Sequence, residues 1–269
     1  MASISGHAIR RIILEQSHRA HVGHIGSALS VADIIAALFD RVLRIPHPDH
    51  PKRDRFVLSK GHSALAFYAA LHLQGRLGQQ ELETFRADGS PLGTHPEVVL
   101  PGVDFATGSL GQGLSMATGA ALAIRLQKGT HRVYALMSDA ECNEGSVWEA
   151  AQFAGHHRLN ELTVVVDFNG MQAMGRTCDI MTMENLSERW CAFGWEAIDV
   201  DGHDQEAVAN ALLAPKSQNA KPRVVMARTI LGKGVSFMEN RLKWHYWPMD
   251  DAEFKQAMLD IEPKGVTSA

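Results

Sequence analysis

Beyond residue 132 the chain alternates short apolar runs with helical stretches, and that alternation limits the folds open to it more than any other feature. Strand-like runs fall at residues 133–137, 162–166, 195–200 and 223–229, with helical patterns between them at 147–157, 184–193 and 205–213. Strands separated by helices of roughly ten to fifteen residues form βαβ units, whose strands lie parallel in a sheet covered by helices on both faces. The expected fold class is α/β, an open, doubly wound parallel sheet. Upstream, Ile9, Ile12, Ile13 and Gln16 recur at helical spacing within 7–20, and Ser30 with Asp33 gives a capping-box-like start to a helix over 30–42. A short strand is expected at 56–58, helices at 63–74 and 114–127, and a Gly/Pro-rich loop over 89–113. Past Asp250 the pattern predicts one amphipathic helix ending at Leu259.

The 269 residues carry no repeat and no Pro/Ser-rich linker, so a single domain over 1–269 is expected, with N-terminal helices (1–50) and a C-terminal tail (240–269) as extensions. With 26 basic against 30 acidic residues, nothing favours nucleic acid or an anionic membrane as partner. The longest apolar stretch, at 113–124, is too short to span a bilayer and contains Ser115 and Thr118. Arg10 and Arg11 interrupt the first apolar stretch and no cleavage-like site follows, so no signal peptide is expected. Cys142, Cys178 and Cys191 are odd in number and form no C-x-x-C pair, which predicts free thiols in a reducing cytoplasm.

Ligands of an open parallel sheet bind beyond the carboxyl ends of its strands. Two successive strands run into oxygen-bearing residues there, Ser138-Asp139 and Asp167-Phe168-Asn169. Asp139 and Asn169 are far enough apart for strand, crossover helix and return strand, which brings them to one sheet edge. A carboxylate and an amide oxygen suit magnesium or calcium, but the same residues are preferred at an N-cap and a turn, and spacing leaves both readings open. The run Thr107-Gly108-Ser109-Leu110-Gly111-Gln112-Gly113 opens a helix, where glycines permit either close approach to a phosphate or close helix packing. His24, His62 and His95 sit beside glycine or proline in loops, as proton shuttles or as backbone-bonded residues. No H-E-x-x-H or G-x-S-x-G pattern is present.

In order, Gly23-His24-Ile25-Gly26, the stretch from Asp54 to His62, His95-Pro96-Glu97 and the glycine run from Thr107 to Gly113 resemble the transketolase family. Ser138-Asp139-Ala140 through Glu144-Gly145, followed by Asp167-Phe168-Asn169, is similar to that family's bipartite thiamine diphosphate motif. The likeness extends through Gly232-Lys233-Gly234 to Trp244-His245 and is closest to the N-terminal subunit of split transketolases.

The resemblance implies that Asp139 and Asn169 bind a divalent cation (Mg, or Ca or Mn) by side chain, with a backbone carbonyl from Met171. Gly108 and Leu110 would wall the thiamine diphosphate, and Ala140 would offer it a backbone N–H. His62 and His245 look like diphosphate-side contacts, and His24, His95 and His245 like the catalytic set facing substrate. Four places depart from the family: Ser138 and Ala140 replace glycines, Ser109 replaces proline, Ile25 also replaces proline, and Tyr246-Trp247-Pro248-Met249-Asp250 replaces a glycine-rich continuation. The family's pyrimidine-binding domain, with the glutamate that activates the cofactor and most groups gripping an anionic substrate tail, has no room in this chain. Glu144 is not that glutamate and falls near the subunit contact. The resemblance therefore implies half an enzyme, which forms a heterotetramer with a C-terminal transketolase subunit, moving a two-carbon ketol unit from a ketose to an aldose. The competing readings are a 2-oxo acid dehydrogenase-like subunit, a magnesium-dependent phosphate-ester enzyme and a non-catalytic regulatory subunit.

Overall fold

The computed structural model describes residues 3–215 and 221–262; the outer ends of the expected domain and tail, 1–2 and 263–269, lie outside them. In chain order the helices are α1 (Gly6–Ala20), α2 (Ile25–Ser30), α3 (Ala32–Ala37), α4 (Ala64–Leu73), α5 (Gln79–Leu82), α6 (Gln112–Leu126), α7 (Gly145–His156), α8 (Thr177–Ile180), α9 (Leu186–Ala192), α10 (Gln205–Leu213), α11 (Lys243–Tyr246) and α12 (Asp251–Ile261). The strands are β1 (Arg55–Leu58), β2 (Val133–Ser138), β3 (Leu162–Phe168), β4 (Met171–Gln172), β5 (Gly175–Arg176), β6 (Glu196–Asp201) and β7 (Arg223–Arg228). Five of them make one sheet in the order β1-β2-β3-β7-β6, and every neighbouring pair is parallel.

Alternate side chains of the central strands enter two separate cores, as a period of two requires. Val57, Ala135, Met137, Val164, Val166 and Met226 pack with α6, α7 and α9 on one face. Phe56, Leu58, Leu136, Val165, Val225 and Ala227 pack with α1 to α4, α10 and α12 on the other. Both faces are covered, so the doubly wound α/β expectation holds. The N-terminal helices α1 to α3 contribute Ile9, Ile13, Ile34 and Ile35, all fully buried, to the second core.

The expected helix over 30–42 is broken. Ser30 does not cap it: Ser30 ends α2, and its hydroxyl donates to Asp167 Oδ1 at 2.7 Å instead. The backbone turns at Val31, runs through α3 and widens into a π turn over Leu38–Val42. Helix α6 begins at Gln112, two residues ahead of expectation, because Gly111 adopts a left-handed φ of 85° and starts it. The α5 turn, the α8 and α11 turns and the β4–β5 hairpin are too short for periodicity to reveal. Helix α12 has the expected start, with Glu253 N–H donating to Asp250 Oδ1 at 2.8 Å and Asp250 N–H to Glu253 Oε2 at 3.0 Å.

The glycine-containing loop before α6 is clamped to the sheet edge. Arg53 makes two 2.7 Å bonds to Asp104, Arg55 a third at 3.0 Å, and Thr107 Oγ1 donates to Leu58 O at 2.6 Å. Gly61 permits this approach, since a Cβ there would lie 2.8 Å from Thr107 O.

Candidate active site

The register of β2, β3 and β7 pairs Ser138 with Asp167 and Asp167 with Ala227, so the carboxyl ends of three strands finish side by side. Asp139 follows β2 and is fully buried. Its Oδ1 accepts from Ala140 N–H at 2.8 Å and its Oδ2 from Gly170 N–H at 2.8 Å. Burial, then the charge of Asp167, pushes its carboxyl up to about 7. Asn169 follows β3, with its amide N–H donating to Asp167 Oδ2 at 3.0 Å and its Oδ1 accepting from Met171 N–H at 2.9 Å. Ala140 opens a 3₁₀ turn and is not among the positive-φ residues, so a Cβ is tolerated where the family carries glycine.

Behind this edge lies a network that sequence reasoning did not single out. Asp167 is fully buried and pairs with the Lys60 ammonium, itself buried, while Ser30 and Thr229 hydroxyls donate to its other oxygen. Glu141, also buried, accepts from Ser59 Oγ at 2.5 Å, Gly111 N–H at 3.1 Å and Ser138 N–H at 2.8 Å, tying the glycine loop to the end of β2. The legible signal was an acid interrupting the apolar run of β3 and a lysine just past β1, each at a strand's carboxyl end.

Three histidine rings close around the cavity above. His24, His62 and His245 have centroids 5.4, 5.6 and 5.8 Å apart, supplied by the start of α2, the 3₁₀ turn before α4, and α11. His95 stands against Gly108, where a Cβ would meet its ring at 3.2 Å. Its carbonyl accepts from Tyr68 hydroxyl at 3.0 Å. A cavity of 230 Å³ is lined by His24, His62, His95, Gly108, Leu110, Ala140, Asn169, Met171 and His245. Asp139, the remaining expected site residue, does not line it but accepts from the backbone of Ala140, which does. Lys60, Ser138, Gln172 and Tyr246 also line it, and none of the lining residues is an Asp or Glu.

His24, His62 and His245 are held neutral. Burial first, then His24, brings His245 down to about 4. Burial, then Lys60, sets His62 well below the ordinary imidazole range, and burial with His95 lowers His24. An unfolded histidine takes up a proton near pH 6.5, so between there and about 4 the unfolded chain binds the excess protons and stability falls as the pH is lowered. Thermal midpoints are expected to drop by several degrees from pH 7 to pH 4.5, and less steeply for His62→Gln. An identical slope in wild type and variant assigns the titration elsewhere.

A parallel sheet with paired hard-oxygen residues at its carboxyl edge, beneath a ring of neutral histidines, defines a coenzyme-binding α/β domain. The chain belongs to the transketolase family: the model of the transketolase thiamine diphosphate binding domain matches residues 2–264. It is 40% identical over 260 residues to the 6-deoxy-6-sulfo-D-fructose transketolase subunit SqwG of Clostridium sp. (strain MSTE9), covering 96% of this chain and 94% of the relative. It is 35% identical over 258 residues to an apulose-4-phosphate transketolase subunit of Phocaeicola vulgatus, covering 95% and 92%. Among solved structures, transketolase from Campylobacter jejuni superposes with a TM-score of 0.89 at 32% identity over 96% of this chain. The chain spans only 42% of that transketolase's length.

Proposed function

We propose that this chain is the diphosphate-binding half of a split transketolase, acting as a single domain that carries a two-carbon ketol unit between sugars once paired with a second subunit. The observation that carries the reading is the convergence of His24, His62, His95, His245, Gly108, Leu110, Ala140, Asn169 and Met171 on one cavity. The cavity's chemistry fits thiamine diphosphate with a divalent cation. His24 Nδ1 and His245 Nδ1 are buried without a hydrogen-bond partner, and Asp139 is a buried carboxylate facing a like charge at Asp167. Among the described residues no three His, Cys, Asp or Glu side chains group to hold a metal alone. Asp139, Asn169 and the Met171 carbonyl would hold the cation, as hard oxygen donors suited to magnesium or calcium.

When bound, the cofactor supplies the carbanion chemistry of ketol transfer. The chain's own groups do the rest. His62 and His245 would contact the diphosphate, and the Ala140 backbone and the glycine loop would shape its seat. His24, held neutral, and His95 can donate to, or take a proton from, substrate hydroxyl and carbonyl oxygens. His24→Ala and His95→Ala are expected to lower turnover by about 10²–10⁴-fold while cofactor affinity stays within about threefold of wild type. Matching losses in affinity and turnover would remove them from the substrate side.

The partner enters because the cavity lining holds no carboxylate to activate the cofactor. Trp247, 64% exposed, and Met174, 75% exposed, follow the lining residues Tyr246 and Ala173 in the chain, apolar surface suited to a covering subunit. A heterotetramer of two copies of each subunit, acting on a phosphorylated or otherwise anionic sugar in the cytoplasm, completes the reading. The sugar class is supported by the relatives' sulfofructose and apulose-4-phosphate names. All three cysteines are free, and among the described residues no helix is long and apolar enough to cross a membrane.

A further inference from the structure

A second chamber of 270 Å³ adjoins the 230 Å³ cavity and shares His24, His62 and Tyr246 with it. Ser17, Thr94 and Arg86 add to its polar lining, and no Asp or Glu is among the described residues that line it. Burial holds His24 and His62 neutral, which leaves Arg86 as the one formal charge in that lining. The charge is uncommitted. Among the described residues, none pairs with the Arg86 guanidinium or bonds to the Thr94 hydroxyl. Neighbouring arginines are engaged: Arg19 donates to Gln16 Oε1 and to Phe85 O, both at 2.8 Å, and Arg76 to Gln74 Oε1 at 3.1 Å.

Arg86 also stands on a fixed turn. Its φ of 65° is left-handed, a conformation that an arginine seldom adopts. The turn is pinned on both sides: Arg86 N–H donates to Leu92 O at 2.9 Å, and the preceding carbonyl, Phe85 O, takes the Arg19 bond. Residues held in such conformations cluster at ligand clamps. A guanidinium presents a planar fork of donors that matches the oxygens of a phosphate or sulfonate. The chamber holds several times the roughly 30 Å³ of one water molecule, which leaves room for a tetrahedral oxyanion. It begins at His24, one of the two proposed substrate histidines, and Thr94 immediately precedes the other, His95. A sugar held by those two histidines therefore has this chamber beside it. We propose that the side chamber is an anion subsite: Arg86, with the Ser17 and Thr94 hydroxyls, takes the phosphate or sulfonate of a sugar substrate, so this chain supplies a tail contact of its own. This inference rests on the ketol-transfer reading above.

The test uses the complex purified with its partner subunit, thiamine diphosphate and magnesium. The donor is saturating hydroxypyruvate, whose two-carbon unit is handed on with loss of carbon dioxide. Three acceptors share one carbon skeleton: D-glyceraldehyde, D-glyceraldehyde 3-phosphate and the sulfonate counterpart, 3-sulfolactaldehyde. For Arg86→Met, KM for an anionic acceptor is expected to rise about 10–100-fold with kcat within about threefold, the loss typical of a hydrogen-bonded charge contact. KM for D-glyceraldehyde, which has no charged tail, is expected to move less than about twofold, and Arg86→Lys to recover part of the loss. The anionic acceptor that shows the rise identifies the tail as phosphate or sulfonate. Should Arg86→Met fail to fold, Arg86→Gly removes the guanidinium while suiting the left-handed backbone, and the same rise is expected. A folded variant with unchanged KM for both anionic acceptors overturns the proposal. Equal rises for charged and uncharged acceptors also overturn it, by assigning the effect to the shape of the loop. Wild-type complex inert with all three acceptors and with sugar donors removes the ketol-transfer reading, and this inference with it, before any variant is compared.

Discussion

Replacing Asp139 with alanine is expected to leave the cofactor-free chain folded with a nearly unchanged thermal midpoint, and to abolish the stabilisation that thiamine diphosphate and magnesium confer. Two opposed effects meet at this residue in the free chain. The carboxylate satisfies the Ala140 and Gly170 N–H groups, each costing roughly 1–3 kcal/mol if left unpaired while buried. Against that, it sits fully buried beside Asp167, and removing it relieves an unfavourable charge. Binding has no such balance. A ligand at about 100 times its dissociation constant stabilises a fold by about 2.7 kcal/mol, and that gain should vanish without the main cation ligand. Turnover of the assembled enzyme is expected to fall by more than about 100-fold, the upper range for residues that merely support a metal ligand. Thermal melts with and without cofactor read the first effect and steady-state kinetics the second. A variant that keeps its cofactor-induced shift places the cation elsewhere.

The second large effect belongs to the buried pair beneath. Lys60 and Asp167 are fully buried, and Asp167 also receives Ser30, Thr229 and Asn169. Lys60→Met strands the carboxylate and is expected to cost about 3–5 kcal/mol. For a chain of this size that lowers the melting temperature by roughly ten degrees. Asp167→Asn strands the ammonium and should cost a similar amount, while the double variant recovers much of the loss because neither charge remains. Asp167 also fixes the Asn169 amide, so Asp167→Asn is expected to weaken cation affinity as well. Denaturant melts on the two singles and the double close the cycle; additive losses would mean the pair is not coupled.

The alternation beyond residue 132 was enough to reach the sheet, since period-two strands and intervening helices leave few arrangements. The site was legible for a related reason: strand ends converge in a parallel sheet, so Asp139 and Asn169 meet whatever the side chains between them. What stayed hidden depended on three-dimensional pairing. Ser30 looked like a helix cap because its neighbours suit one, but its hydroxyl reaches Asp167, remote in sequence, and the helix breaks there. Lys60 was visible as a letter in a motif, yet only the sheet register shows that its ammonium enters the space behind Asn169. Tyr246 read as a departure from the family pattern; its place between two chambers follows from the close approach that Gly23 allows.

The most direct test of the proposal that this chain is half of a thiamine-dependent enzyme is native mass spectrometry of the protein purified gently from its own host. The expected mass is two copies of the 29.5 kDa chain with two of a partner of roughly 30–35 kDa, the size of two further domains, with thiamine diphosphate and a divalent metal retained. A homo-oligomer carrying neither partner nor cofactor would contradict it.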